Sequence, residues 1–333
     1  MEASDQHKEF PMADITPIFD QSLLTKSIQE RVKAFQQEVI LHRKMADVLY
    51  ELTSLVTPPV APWMVFMSGP SGVGKTTVLN VLEDELVEYF SQFQQIPREP
   101  KTIPVVRIES DPLNGLFSRN SYARILEKLG QPFADAITKR SRTDELRHRM
   151  YQALEEQNTR VLIIDSAQDA NLHAREKRLE QLNHLKDLSE RGIKIVLSET
   201  HEPLLPREQS VQIVRQIIKV DFSRYQDDIP EDLDDFQGIL KEFQRRLPVQ
   251  DMPDFTSYFD YLYSHSVGCV GILHSWLTRA LSRSLNEGST TITLKHLEQT
   301  TLDSSICNDL LNNAKVLEKS FFTRQVTLDK NNF

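Results

Sequence analysis

Up to Phe222 the chain alternates between two spacings of apolar residues. Short β-branched or aromatic runs have the length and composition of buried strands: "WMVFMS" (63–68), "IPVVRIE" (103–109), "RVLIID" (160–165), "IKIVLSE" (193–199) and "QIIKVDF" (216–222). Between them, residues 76–92, 119–130, 143–157 and 174–191 carry apolar positions at helical spacing. This alternation predicts an α/β core, a parallel sheet covered by helices on both faces. Ahead of it, Ser27 and Glu30 have capping-box form. Val32, Phe35, Val39, Ile40, Met45, Val48, Leu49 and Leu52 then predict one helix reaching about Leu55. Pro58 and Pro59 stop it, because proline lacks the N–H and clashes with the preceding turn. Beyond Phe222 the strand pattern ceases. Residues 231–246, 254–265, 270–286 and 293–311 read as helices, which predicts an all-helical second domain. Residues 1–26 show no sustained periodicity and read as an extension.

Composition narrows the classes. With 39% hydrophobic and 26% charged residues among 333, the chain falls with soluble globular proteins. A net charge of −9 excludes nucleic-acid binding by overall basicity, though not by a local groove. Cys269 and Cys307 stand outside any CxxC pair, so neither a disulfide framework nor a zinc site is expected. The opening "MEASDQHKEFPMADITP" lacks the apolar core of a signal peptide, and no run approaches the ~20 apolar residues of a membrane span. A cytoplasmic protein with no membrane partner is expected. The acidic stretch "DDIPEDLDD" (227–235) has no calcium-loop spacing and reads as a solvated helix entrance.

The candidate chemistry sits where strands give way to helices. "GPSGVGKT" (69–76) matches G-x-x-x-x-G-K-[ST] between a predicted strand and a predicted helix. Gly69, Gly72 and Gly74 let the backbone turn tightly, so that successive N–H groups point at phosphate oxygens. The helix start adds partial positive charge. Lys75 suits the β- and γ-phosphates and the Thr76 hydroxyl suits magnesium, so ATP and Mg2+ are the expected ligands. Asp165 closes the apolar run "VLIID" and reads as the metal-facing carboxylate.

"GPSGVGKT", "LIIDSAQ" and "IVLSET", followed by a helical lid, resemble an AAA+ ATPase. The flanks are similar to the TniB/TnsC family of ATP-dependent regulators of DNA transposition: "SIQERVKAFQQEVILHRKMADVLYELTSLVTPP", "IPVVRIESDP", "ARILEKLGQP" and "LKEFQRRLPV". The resemblance covers about residues 27–311. It implies a P-loop AAA+ core with a five-stranded parallel sheet in the order 5-1-4-3-2 and a C-terminal helical lid. The implied divisions are an extension (1–26), the core (27–222), the lid (223–312) and a tail (313–333). It further implies ATP-dependent rings or helical filaments around double-stranded DNA, a transposase partner and a target selector of the TniQ/TnsD kind. By this resemblance Gly69, Pro70, Ser71, Gly72, Val73, Gly74, Lys75, Thr76 and Thr77 form the nucleotide cradle. Asp165 becomes the magnesium carboxylate, and Thr200 the polar sensor, with Ser198 as the alternative.

Departures from the family pattern matter. Where the family has glutamate this chain has Ser166, whose hydroxyl is too weak a base at neutral pH to replace a carboxylate. Asp169 and Glu199 lie near in sequence without matching the motif. The trans-acting arginine aligns with Ile213, leaving Arg215 and Arg207 as candidates; "VGCVGILHSW" keeps the family's Gly268 and Gly271 without an obvious arginine. For DNA, "KRSRTDELRHR" gathers Lys139, Arg140, Arg142, Arg147 and Arg149 against Asp144 and Glu145. Such a segment would follow phosphates without reading bases. The expected function is an ATP-loaded regulator of transposition with weak hydrolysis. The alternatives are another DNA-related AAA+ ATPase, of initiator or helicase-loader type, and a nucleotide-gated scaffold.

Overall fold

Five parallel strands organise the first two thirds of the chain: β1 (Met64–Ser68), β2 (Val105–Glu109), β3 (Val161–Asp165), β4 (Lys194–Glu199) and β5 (Ile217–Asp221). Their order is β2-β3-β4-β1-β5, the predicted 5-1-4-3-2 read from the opposite edge. Every residue of β1 and β3 is buried, as expected of parallel strands covered on both faces. The register brings Ser68 opposite Glu199 and Asp221, and Glu109 opposite Asp165. The C-terminal strand ends therefore share one edge, the usual ligand edge of open α/β sheets.

The computed structural model describes residues 16–58, 64–93, 102–111, 117–131, 142–166, 175–199 and 217–330. Its helices in the first part are α1 (Ile28–Gln36), α2 (Arg43–Val56), α3 (Lys75–Phe93), α4 (Arg119–Lys128), α5 (Thr143–Glu156) and α6 (Arg175–Glu190). After β5 come α7 (Pro230–Arg246), α8 (Phe259–Ser266), α9 (Val270–Asn286), α10 (Leu294–Glu298) and α11 (Ser304–Lys330).

Two of the expected helices are broken. The single helix predicted from Ser27 to Leu55 is α1 and α2, with an irregular stretch between them. Phe35 and Ile40 both belong to one apolar core. On an unbroken helix they would point about 140° apart, so the chain leaves the helix after Gln37 and turns Ile40 inward. The capping box at the start of α1 forms: the Glu30 N–H donates to Ser27 Oγ at 3.3 Å, and the Ser27 N–H to Glu30 Oε2 at 3.0 Å. The pattern at 293–311 likewise splits into α10 and α11. There Asp303 Oδ1 accepts the Ser305 N–H at 2.8 Å, the local bond that opens α11.

Contacts divide the chain into two compact units. One joins Lys44–Gly69 to Lys75–Phe222, and the other joins Met1–Arg43, Pro70–Gly74 and Ser223–Phe333. The sheet unit has a core of Phe66, Ile108, Tyr122, Ile125, Met150, Leu162, Ile164 and Leu197. In the helical unit Phe35, Phe236, Phe243, Leu273, Trp276 and Leu277 pack together. Trp276 Nε1 donates to Leu297 O at 3.0 Å, so its one polar group is satisfied. Each such side chain contributes roughly 1.5–3 kcal/mol by leaving water. An exposed ion pair contributes about 0–1 kcal/mol. The two apolar cores dominate.

Candidate nucleotide site

β1 feeds the glycine loop, and both neighbouring strands hold its exit. The Phe222 N–H donates to Ser68 O at 2.7 Å, and the Gly69 N–H to Glu199 O at 3.3 Å. A Cβ at Gly69 would lie 2.3 Å from Phe222 O, so no side chain fits there. Gly72 and Gly74 then take φ of 79° and 114°, a path open to glycine and strained for other residues. Lys75 opens α3 and is buried, and its Nζ donates to Gly69 O at 2.7 Å. The ammonium is thus turned back over the start of the loop, where a polyphosphate would bring negative charge. Thr76 follows in the first turn, exposed.

Asp165 closes β3 and is 2% exposed. Its two oxygens have separate surroundings. Oδ1 accepts from Ser198 Oγ at 2.6 Å and from the Ser166 N–H at 2.8 Å. Oδ2 has the Arg107 guanidinium nitrogen Nη1 at 3.6 Å, an ion pair too long for a hydrogen bond. Arg107 lies on β2 and donates from Nε to Glu83 Oε2 on α3 at 2.8 Å. Ser166 leaves the strand with φ 52°, exposed, and its carbonyl accepts from Ser110 Oγ at 2.6 Å. The Ser110 N–H donates to Asp165 O at 2.9 Å, so the exits of β2 and β3 are tied together.

ATP and magnesium suit these groups. The narrow glycine path and the inward ammonium match a polyphosphate. A threonine hydroxyl and a carboxylate are hard oxygen donors of the kind magnesium takes. Among the described residues no group of three or more His, Cys, Asp or Glu converges on a metal position. A magnesium ion here would complete its shell with phosphate and water, as is usual for it. No carboxylate occupies the position after Asp165, and the Ser166 hydroxyl is a poor acceptor for a proton from water.

Not every anticipated residue falls within the described chain. Thr200, Arg215, Arg207, Ile213, Asp169, Lys139 and Arg140 lie outside the described residues. Ser198, the alternative sensor, has its hydroxyl on Asp165. Of the basic segment, Arg142 precedes α5, exposed and without a side-chain capping bond. Arg147 pairs with Asp144 at 3.0 Å and Arg149 with Glu145 at 2.8 Å, both within one helix. Arg107 was not anticipated. Its one signal in the sequence is a charge inside the otherwise apolar run "PVVRI".

In the helical unit the first turn of α9 meets the glycine loop through backbone. The Ile272 N–H donates to Gly72 O at 3.2 Å, and a Cβ at Gly271 would stand 2.6 Å from that same oxygen. At Gly72 a Cβ would meet the Ile272 side chain at 2.4 Å.

Comparison with known proteins bears on the sheet unit first. Residues 63–206 match the model of a family described as an AAA domain (AAA_22). No curated protein matches the chain. Among solved structures, the ORC2 protein of Aeropyrum pernix, described with ADPNP and ADP, is similar over 87% of this chain and 71% of its own. The TM-score is 0.51 and the identity 14%, a likeness of fold. Domain III of the replication initiation protein DnaA from Thermotoga maritima is similar over 80% of this chain and 94% of its own, with TM-score 0.47 and identity 15%. Sheet order, glycine loop and the match of residues 63–206 to an AAA domain agree on an AAA+ P-loop fold.

Proposed function

We propose that the chain is an ATP-gated AAA+ regulator of DNA transposition. On this reading it assembles on double-stranded DNA as a ring or helical homo-oligomer, marks a target site and recruits or activates a transposase. A target selector of the TniQ/TnsD kind would be its other partner. The observation that carries the gating is at the end of β3. Asp165 is held in place by Ser198 and the Ser166 N–H, while Ser166 itself brings no carboxylate. The transposition assignment is supported by the flanking segments quoted above, from "SIQERV" to "LKEFQRRLPV".

The residues divide the work. Lys75 and the loop from Gly69 to Gly74 hold the triphosphate, and Thr76 with Asp165 would hold Mg2+, which neutralises β- and γ-phosphate charge when bound. Ser198 and the Ser166 N–H keep Oδ1 of Asp165 occupied and so orient Oδ2. For water activation the position after Asp165 offers a hydroxyl where a carboxylate would serve. Losing a general base typically lowers the rate about 10²–10⁴-fold while leaving ground-state contacts intact. The ATP-loaded assembly is then long-lived, and a partner ends it.

A replication-initiator role is the second reading, since the AAA+ fold resembles that of an archaeal ORC2 protein at 14% identity. Fold alone does not choose between tasks. Duplex-DNA mobility shifts with and without a non-hydrolysable ATP analogue test the gate, and whether the neighbouring genes encode a transposase tests the assignment. Ser166→Glu should raise phosphate release and shorten the lifetime on DNA. Ser166 already bears the left-handed backbone at φ 52°, so glutamate adds little strain there, and a thermal melt beside the assay checks that the variant folds. Brisk release by the unmodified protein would overturn slow hydrolysis.

A further inference from the structure

Arg107 is a fixed cation beside the one carboxylate expected to face a metal. It stands two residues before Glu109, the strand partner of Asp165, and so on the same side of the sheet. That side is covered by α3, whose Glu83 takes the Arg107 Nε at 2.8 Å. This bond leaves Nη1 directed along the strand toward Asp165 Oδ2, 3.6 Å away. Oδ1 is already committed to two donors, so Oδ2 is the oxygen left for a cation from outside. Arg107 is a quarter exposed and Asp165 is 3% exposed at the side chain. The charge on Asp165 is therefore poorly screened by water, and the guanidinium acts on it at close range.

We propose that Arg107 is a positioning residue that sets the magnesium requirement of nucleotide binding. Its guanidinium holds Oδ2 of Asp165 when no cation is bound and opposes a cation on that oxygen. Glu83 draws part of that positive charge away, so the pair Glu83–Arg107 grades the opposition. The consequence is a chain that holds Asp165 in order without metal and releases it only when magnesium arrives with nucleotide. The inference rests on the ATP-binding reading of this site.

The test is a magnesium titration of binding to a fluorescent ATP analogue, with a parallel measurement in EDTA and a thermal melt. In Arg107→Gln the magnesium midpoint should fall about tenfold, the scale on which a unit charge at such range opposes a divalent ion even through water. Affinity in EDTA should stay at the parent value. Arg107→Lys, which keeps the charge, should stay near the parent midpoint. Glu83→Gln should move the midpoint the other way, because the whole guanidinium charge then bears on Asp165. This variant also keeps the test alive if Arg107→Gln does not fold. Unchanged midpoints in Arg107→Gln and Glu83→Gln would overturn the proposal. So would equal loss of binding with and without magnesium. An unmodified protein that binds no analogue in either condition would instead sink the ATP reading itself.

Discussion

In the sheet unit four of the buried polar side chains, Ser68, Asp165, Ser198 and Glu199, gather at the C-terminal ends of three adjacent strands, with Lys75 just beyond. In the helical unit they are spread along the chain. His42 bonds Tyr225 Oη at 2.9 Å, Gln244 Oε1 accepts the Phe255 N–H at 3.1 Å, Ser266 Oγ donates to Leu262 O at 2.7 Å, and Arg224 pairs with Glu318 at 2.9 Å. One of these bonds lies within a helix and the others tie connecting segments to a helix or to each other, so each of these side chains has a partner, as buried polar groups ordinarily must. Burial of polarity alone therefore identifies no site. What distinguishes the sheet edge is convergence: a hydroxyl from β4 and a guanidinium from β2 meet on the Asp165 carboxylate of β3, while the Lys75 ammonium turns back over the loop after β1.

Lys75→Ala breaks the contrast most sharply. It removes the cation from the sheet edge without touching either apolar core. ATP binding should be lost in a titration with labelled nucleotide, while the thermal melt stays close to that of the unmodified protein. Unchanged affinity would remove the loop from the nucleotide site.

Glu318→Ala probes the other pattern. It removes the carboxylate that pairs with Arg224, which is 4% exposed at the side chain. Removing one member of a buried pair destabilises by about 3–5 kcal/mol, and amide exchange should rise in α8 and α11. Replacing both partners by apolar residues of similar volume should be close to neutral. If the single and double replacements behave alike, the pair is not a structural dock.

The smallest effect concerns pH. His274 Nε2 lies 2.9 Å from Phe35 O, and its ring stacks on Phe243 at 5.1 Å. Burial lowers its pKa, against the opposing pull of the Phe35 carbonyl and Glu38. The unfolded chain therefore binds the proton more readily than the folded one, and stability rises with pH across this window. His274 should contribute fully above its unfolded pKa, about 6.5. That contribution is lost as pH falls below this value toward the folded pKa. Denaturant midpoints of the helical unit should drop between neutral and mildly acidic pH, and His274→Gln should flatten that drop. A parent midpoint that does not change with pH would discard the idea.

Much of the sheet unit was legible in the sequence because strand burial writes itself as uninterrupted apolar runs, and the glycine loop because its spacing is set by phosphate geometry. The break after Gln37 was not. Phe35 and Val39 keep helical spacing and the pattern resumes from Met45, so the run reads as continuous; only the shared core of Phe35 and Ile40 shows the break. Arg107 was hidden for a related reason. Its meaning comes from the β2–β3 register and from Glu83 on α3, neither of which sequence spacing reports. The bond from Ser198 to Asp165 likewise depends on how β4 lies beside β3; the sequence offers Ser198 only as the alternative polar sensor, not as a partner of Asp165.

The meeting of Gly72 and Gly271 ties together two positions far apart in the chain. A methyl group at either would collide, with the Ile272 side chain in one case and the Gly72 carbonyl in the other. Mutational tolerance at the two sites is therefore coupled. A substitution library should find both intolerant of side chains, and a chimera that takes the loop from one relative and the lid from another should succeed only if both bring their glycine. The same crowding closes position 271 to redesign. An arginine cannot be installed there to serve as a γ-phosphate sensor without prising the first turn of α9 from the loop.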